Sequence, residues 1–62
     1  SKEEIKKLQE ETQEYKMEVM CREYLKKNYS DSLIKSKILE AFDYIVEEDI
    51  DYIMEKIKKN EV

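Results

Sequence analysis

The 62-residue chain contains no glycine and no proline. Glycine supplies the left-handed conformations of tight turns, and proline presets many others, so their joint absence removes the usual chemistry of hairpin loops and sheet corners. What is left is a chain without hard breakers, rich in Lys, Glu, Ile, Leu and Met, which favour or tolerate helix. The fold class this predicts is all-α.

Apolar spacing divides that helical chain into parts. Ile5, Leu8, Thr12, Tyr15 and Val19 recur at steps of 3, 4, 3 and 4, a heptad-like stripe that predicts a first helix over about residues 2–27. Lys26 and Lys27 suit a helix C-terminus, where the macrodipole favours cations. Asn28 is the residue best able to take a left-handed position just beyond that end, and Ser30 or Asp31 can cap the next helix, so residues 28–32 read as a turn. Ile34, Ile38, Ala41, Phe42 and Ile45 then predict a helix over about 32–46. Ile50, Ile53, Met54 and Ile57 form a further periodic group, rotated from the previous one. The acids Glu47, Glu48 and Asp49 suit a new N-terminus, so a third helix is expected over about 48–60. The chain thus reads as one small domain, 1–62: an antiparallel helical hairpin whose second arm is broken in two.

Folding back at Tyr29 sets Ile5 opposite Met54, Leu8 opposite Ile50 or Ile53, Tyr15 opposite Ile45, and Val19 opposite Ala41 or Ile38. It also brings Lys6 and Lys7 toward Asp51 and Glu55. One such seam leaves Met17, Met20, Cys21 and Tyr24 on a different side of the first helix. A chain this small rarely draws more than about 3–5 kcal/mol from its own core. The usual staples are missing too: one cysteine closes no internal bridge, and without histidine it makes no structural zinc site. Two remedies cover that side, a three-helix globule or burial by another chain; self-association into a helical bundle is the favoured expectation, with Met17, Met20 and Tyr24 as the partner or dimer interface.

The same composition excludes many chemistries. Without histidine there is no Ser-His or Cys-His nucleophile pair, and without glycine no P-loop or dinucleotide turn. A chain of this size has little interior in which to shift the pKa of a carboxylate, lysine or tyrosine, so no enzyme and no cofactor are expected. Asp49-Ile50-Asp51 opens like a calcium loop, but Met54 and Asn60 stand where such a loop needs Gly and Glu, so no metal is expected. No apolar run approaches the roughly 18 residues of a membrane span. The lone thiol fits a reducing, cytoplasmic setting.

The net charge of −4 is unevenly placed. Residues 1–29 carry seven bases and seven acids, so the whole excess lies in 30–62. There Glu40, Asp43, Glu47, Glu48, Asp49, Asp51 and Glu55 follow one another with no base before Lys56, an acidic patch suited to a protein partner with basic surface. Residues 18–45 can alternatively be drawn as a helix-turn-helix with Ser32, Lys35, Ser36 and Lys37 near the start of a reading helix. Only two bases sit there and the flanks are acidic, the reverse of a nucleic-acid footprint.

In outline, an acidic helical hairpin resembles the small aspartyl-phosphate phosphatases of that shape. Their Ser-Gln-Glu-Leu-Asp signature, in the register set by Ser30-Asp31, falls on Ile38-Leu39-Glu40-Ala41-Phe42. Only Glu40 matches, and Phe42 stands where the catalytic aspartate belongs, so the resemblance implies architecture and no activity. The expected function is a small non-enzymatic protein–protein interaction module, a homo-oligomeric regulator or inhibitor that occupies a partner's surface. The alternatives are a helix-turn-helix DNA-binding regulator, or an assembly subunit or domain of a larger chain.

Overall fold

The computed structural model describes residues 1–60, as three helices and their connections. Glu61 and Val62, the end of the expected domain, lie outside the described residues. Helix α1 (Lys2–Lys26) has 25 residues and is about 37 Å long at the helical rise per residue. The Ser1 hydroxyl accepts the Glu4 N–H at 3.3 Å, and Glu3 and Glu4 place negative charge at the positive end of the dipole.

Asn28 ends α1 as its side chain predicts, at φ 62°. The Asn28 N–H donates to the Leu25 carbonyl at 3.0 Å and the Tyr29 N–H to the Tyr24 carbonyl at 3.1 Å. These two bonds form a Schellman motif, the arrangement that satisfies the last carbonyls of a helix around one left-handed residue. Its accompanying apolar contact is the stacked Tyr24–Tyr29 pair, with ring centroids 5.2 Å apart. Of the two candidate caps, Ser30 is the one used. Its hydroxyl accepts the Leu33 N–H at 3.2 Å and starts helix α2 (Asp31–Ala41).

Helix α2 stops at Ala41, about five residues short of the end expected from its apolar stripe. Phe42 is extended (φ −125°, ψ 141°) and Tyr44 lies in the left-handed region at φ 66°. Nothing in the local sequence announces this, since Tyr is not a residue that seeks positive φ. The connection is held from outside, by the side-chain amide of Gln13 on α1 donating to the Asp43 carbonyl. Helix α3 (Glu47–Asn60) then opens on the three acids Glu47, Glu48 and Asp49 and closes on Lys58 and Lys59, both ends matched to the dipole.

The course of α3 decides the fold. Lys58 pairs with Asp31 at 2.7 Å and Lys35 with Asp51 at 2.7 Å, so α3 runs back along α2 in the antiparallel sense. All three helices pack against one another. The core consists of Met17 and Cys21 from α1, Ile34 and Ile38 from α2, and Ile50, Met54 and Ile57 from α3. Met20, Tyr24, Leu25, Tyr29, Phe42, Ile45 and Ile53 are half-buried against it.

The two faces of α1 are therefore exchanged relative to expectation. An uninterrupted second arm would have run along α1 to Ile5 and Leu8. Because the chain turns at 42–46, helices of 11 and 14 residues both lie beside the C-terminal half of a 25-residue one. In that half the denser apolar group is Met17, Met20, Cys21, Tyr24 and Leu25, not Tyr15 and Val19, and burial follows density. Ile5, Leu8, Tyr15 and Val19 stay exposed instead of being buried in the expected seam, and Asp51 meets Lys35 rather than Lys6 or Lys7.

Candidate functional site

Residues 2–12 of α1 are all exposed. The apolar members of the heptad stripe retain 58% (Ile5), 62% (Leu8), 67% (Tyr15) and 39% (Val19) of their surface. Singly exposed apolar residues need no explanation, but four on one helix face at regular spacing form a contiguous strip, the kind that marks a contact surface. Thr12, inside the strip, donates its hydroxyl to the Leu8 carbonyl at 2.9 Å. Its polar atom is thereby satisfied within the helix, and its methyl extends the apolar strip.

The strip has a wall. Ala41 and Phe42, at the end of α2, flank a shallow groove whose other side is formed by Ile5, Leu8, Gln9, Thr12, Gln13 and Lys16. Sequence spacing alone assigned Ile5, Leu8, Tyr15 and Val19 to an intramolecular seam and so missed them as a surface. The signal available was the strictness of the 3-4 repeat, which is the pairing pattern of two separate helices more than of a globular core.

Of the expected interface trio, Met17 is 1% exposed and belongs to the core, so the three do not form one open surface. Met20 and Tyr24 are half-buried against that core, and Tyr24 is further engaged by Tyr29 and by the Lys37 ammonium 5.7 Å from its ring centroid. The physical reason is the turn at 42–46, which brings the chain's own third helix onto this face.

Every residue of the acidic patch is exposed: Glu40, Asp43, Glu47, Glu48, Asp49, Asp51 and Glu55. Glu48, Asp51 and Glu55 share one face of α3 by their helical spacing, while Glu40 and Asp43 lie at and just past the end of α2. Asp51 pairs with Lys35, whose pKa it holds above the ordinary lysine value through their hydrogen bond. Burial, aided by the nearby Glu18 carboxylate, pushes the Cys21 thiol up to about 11. A thiol so placed stays protonated and unreactive at neutral pH.

The cations of the drawn reading helix are engaged inside the fold. Lys35 binds Asp51, and the Lys37 ammonium stands over the rings of Tyr24 and Tyr29 at 5.7 and 5.9 Å. Among the described residues no group of three or more His, Cys, Asp or Glu side chains converges as a metal would require, and no helix is long and apolar enough to cross a membrane. Comparison with known proteins yields no family model, no curated protein and no solved structure that matches the chain.

Proposed function

We propose that the chain is a non-enzymatic protein–protein interaction module, and that its contact surface is the outward stripe of α1 rather than the Met17 face. The observation that carries this is the exposure of Ile5, Leu8, Tyr15 and Val19 along one face of α1 that the described residues leave open. An isolated helix of about a dozen residues is marginal in water, so this half gains order from a partner laid along it. The α2–α3 body acts as a mount that holds one end of the helix rigid. A regulator or inhibitor that occupies a partner's surface works in this way, as does an assembly subunit.

The acidic side chains of α3 contribute encounter rate and orientation toward a basic partner more than affinity. The two titrations displaced in the fold both move away from reactivity: the Cys21 thiol holds its proton more tightly, and so does Lys35. The pairing of Lys35 and the ring contacts of Lys37 weigh against the DNA-binding alternative, because phosphate neutralisation needs cations free to move. The buried thiol suits a reducing compartment such as the cytoplasm.

The test is a photo-crosslinking amino acid replacing Leu8 in cells expressing the full chain, with the same replacement at Glu10, on the other side of α1, as control. Protein adducts from position 8 and none from position 10 support the reading. No adduct at position 8, or equal adducts from both positions, overturns it.

A further inference from the structure

We infer that the occupant of the α1 stripe is the stripe of a second copy, laid parallel and in register, as a short two-stranded coiled coil. This rests on the interaction reading above and names its partner. In heptad terms Ile5, Thr12 and Val19 fall at the a positions and Leu8 and Tyr15 at the d positions. All three a residues are β-branched and the first d residue is Leu, the combination that favours two parallel strands. Thr12, the one polar residue in the seam, has its hydroxyl already bonded to the Leu8 carbonyl and enters as a methyl.

Charge selects the direction. The residues flanking the seam are Lys2, Gln9, Lys16 and Glu23 on one side (the e positions) and Glu4, Glu11 and Glu18 on the other (the g positions). An antiparallel pair sets each flank against its own kind: Glu11 against Glu11, Glu4 near Glu18, Lys2 near Lys16. A parallel pair sets Glu11 against Lys16 of the second copy, twice by symmetry, and Glu4 against Gln9. Its one like-charged meeting, Glu18 with Glu23, flanks the Val19 layer, the last of the apolar seam, beyond which the next d position is Arg22. Glu18 is bound there to Arg22 of its own chain at 2.7 Å. Neither Glu11 nor Lys16 has an ion pair among the described residues, so both are available to a second copy.

The rest of the fold permits the pairing. Met17, Cys21 and Tyr24, which carry most of the α2–α3 body, lie on the side of α1 away from the stripe, and only the end of α2, Ala41 and Phe42, borders it. Two copies joined along α1 therefore keep their bodies outermost. The acidic excess, all within residues 30–62, then lies outside, while the paired segment 1–29 is neutral. A contact through the acidic start of α3 would bring two negative surfaces together, while α2 is neutral.

The experiment is molar mass by light scattering on the purified full chain across a hundredfold concentration range, with three sets of variants. Wild type is expected to approach twice the chain mass, and Ile5→Glu with Leu8→Glu to stay monomeric while keeping the circular dichroism of the body. Glu11→Lys alone and Lys16→Glu alone are each expected to weaken the dimer about tenfold, and the two together to restore it. Leu8→Cys is expected to form an intermolecular disulfide under mild oxidation while the buried Cys21 stays reduced. A wild-type monomer at every concentration overturns the self-pairing. If position 8 still crosslinks to another protein in cells, the interaction reading stands without it; with no such adduct both fall. A dimer indifferent to the Ile5 and Leu8 substitutions also overturns it. So does a dimer that the double charge exchange fails to restore and in which Leu8→Cys alone does not crosslink but a mixture of Leu8→Cys and Thr12→Cys chains does, since an antiparallel pair sets Leu8 opposite Thr12 of the second copy.

Discussion

The two halves of α1 are built from similar material and end in opposite environments. Residues 2–13 carry Ile5, Leu8 and Thr12 on a face that the described residues leave open. Residues 14–26 carry Met17, Cys21 and Tyr24 on a face that α2 and α3 cover. What separates them is the irregular density of the second face, which suits a three-helix core, and the strict repeat of the first, which suits one facing helix. Apolar content alone does not distinguish a core from a contact surface; its geometry does.

The comparison breaks most sharply with one charge placed in each half. Met17→Glu buries an unpaired carboxylate in a core worth about 3–5 kcal/mol in all, and the expected result is loss of the helical circular dichroism signal at every concentration. Ile5→Glu with Leu8→Glu adds two carboxylates to a surface already in water and is expected to keep that signal from α2, α3 and the C-terminal half of α1. If both variants unfold, the halves are equally structural and the division between them is wrong. Ile38→Ala, which only opens a cavity, is expected to cost about 2–5 kcal/mol, read as a lower denaturation midpoint.

Much of this was legible in the residues. Helix type followed from composition, the α1–α2 turn from Asn28 and Ser30, and the start of α3 from its three acids, because each rests on local chemistry acting within a few residues. The end of α2 was not legible. Its stripe continues through Phe42 and Ile45, and the break depends on Tyr44 at positive φ and on Gln13 gripping the Asp43 carbonyl across thirty positions of sequence. That single non-local event turns α3 back, and the choice of buried face on α1 follows from it. The acidic patch was legible as a charge run, whereas the pairing of Asp51 depended on the direction of α3.

The covered half is next sharpened through its thiol. The folded Cys21 ionises near 11 against an ordinary 9.0, so the unfolded state loses this proton first as pH rises. The stability this contributes is fully present below about pH 9 and is lost progressively toward pH 11. Cys21→Ala is expected to flatten the fall in melting temperature over that window. At pH 8 a thiol reagent is expected to modify Cys21 only at the rate of unfolding. Rapid modification of the native protein would show the C-terminal half of α1 to be as open as the N-terminal half. A smaller effect belongs to the cap: Ser30→Ala removes the acceptor of the Leu33 N–H and is expected to cost about 1 kcal/mol, equally in dimeric and monomeric backgrounds, because the turn is remote from the stripe.

The smallest effect concerns what holds α3 in its returned course. Two ion pairs tie it to α2, Lys35–Asp51 and Lys58–Asp31, and both involve exposed carboxylates. Exposed pairs are screened by salt and contribute little, while the burial of Ile50, Met54 and Ile57 is indifferent to salt. Lys35→Met and Lys58→Met are therefore expected to shift the melting midpoint less than Ser30→Ala does, and molar salt to leave the helical signal unchanged. The sign of the pH effect is fixed by Lys35: its raised pKa means the pair stabilises below the ordinary lysine value of 10.5 and is lost as pH rises above it. Were high salt instead to release α3, the turn at 42–46 would be held by charge alone. Helix α3 would then be free to swing along α1 and cover Ile5 and Leu8. In that case the open half of α1 would be the resting place of the chain's own third helix, and molar salt would abolish the dimer, where screening of the Glu11–Lys16 pairs alone only weakens it.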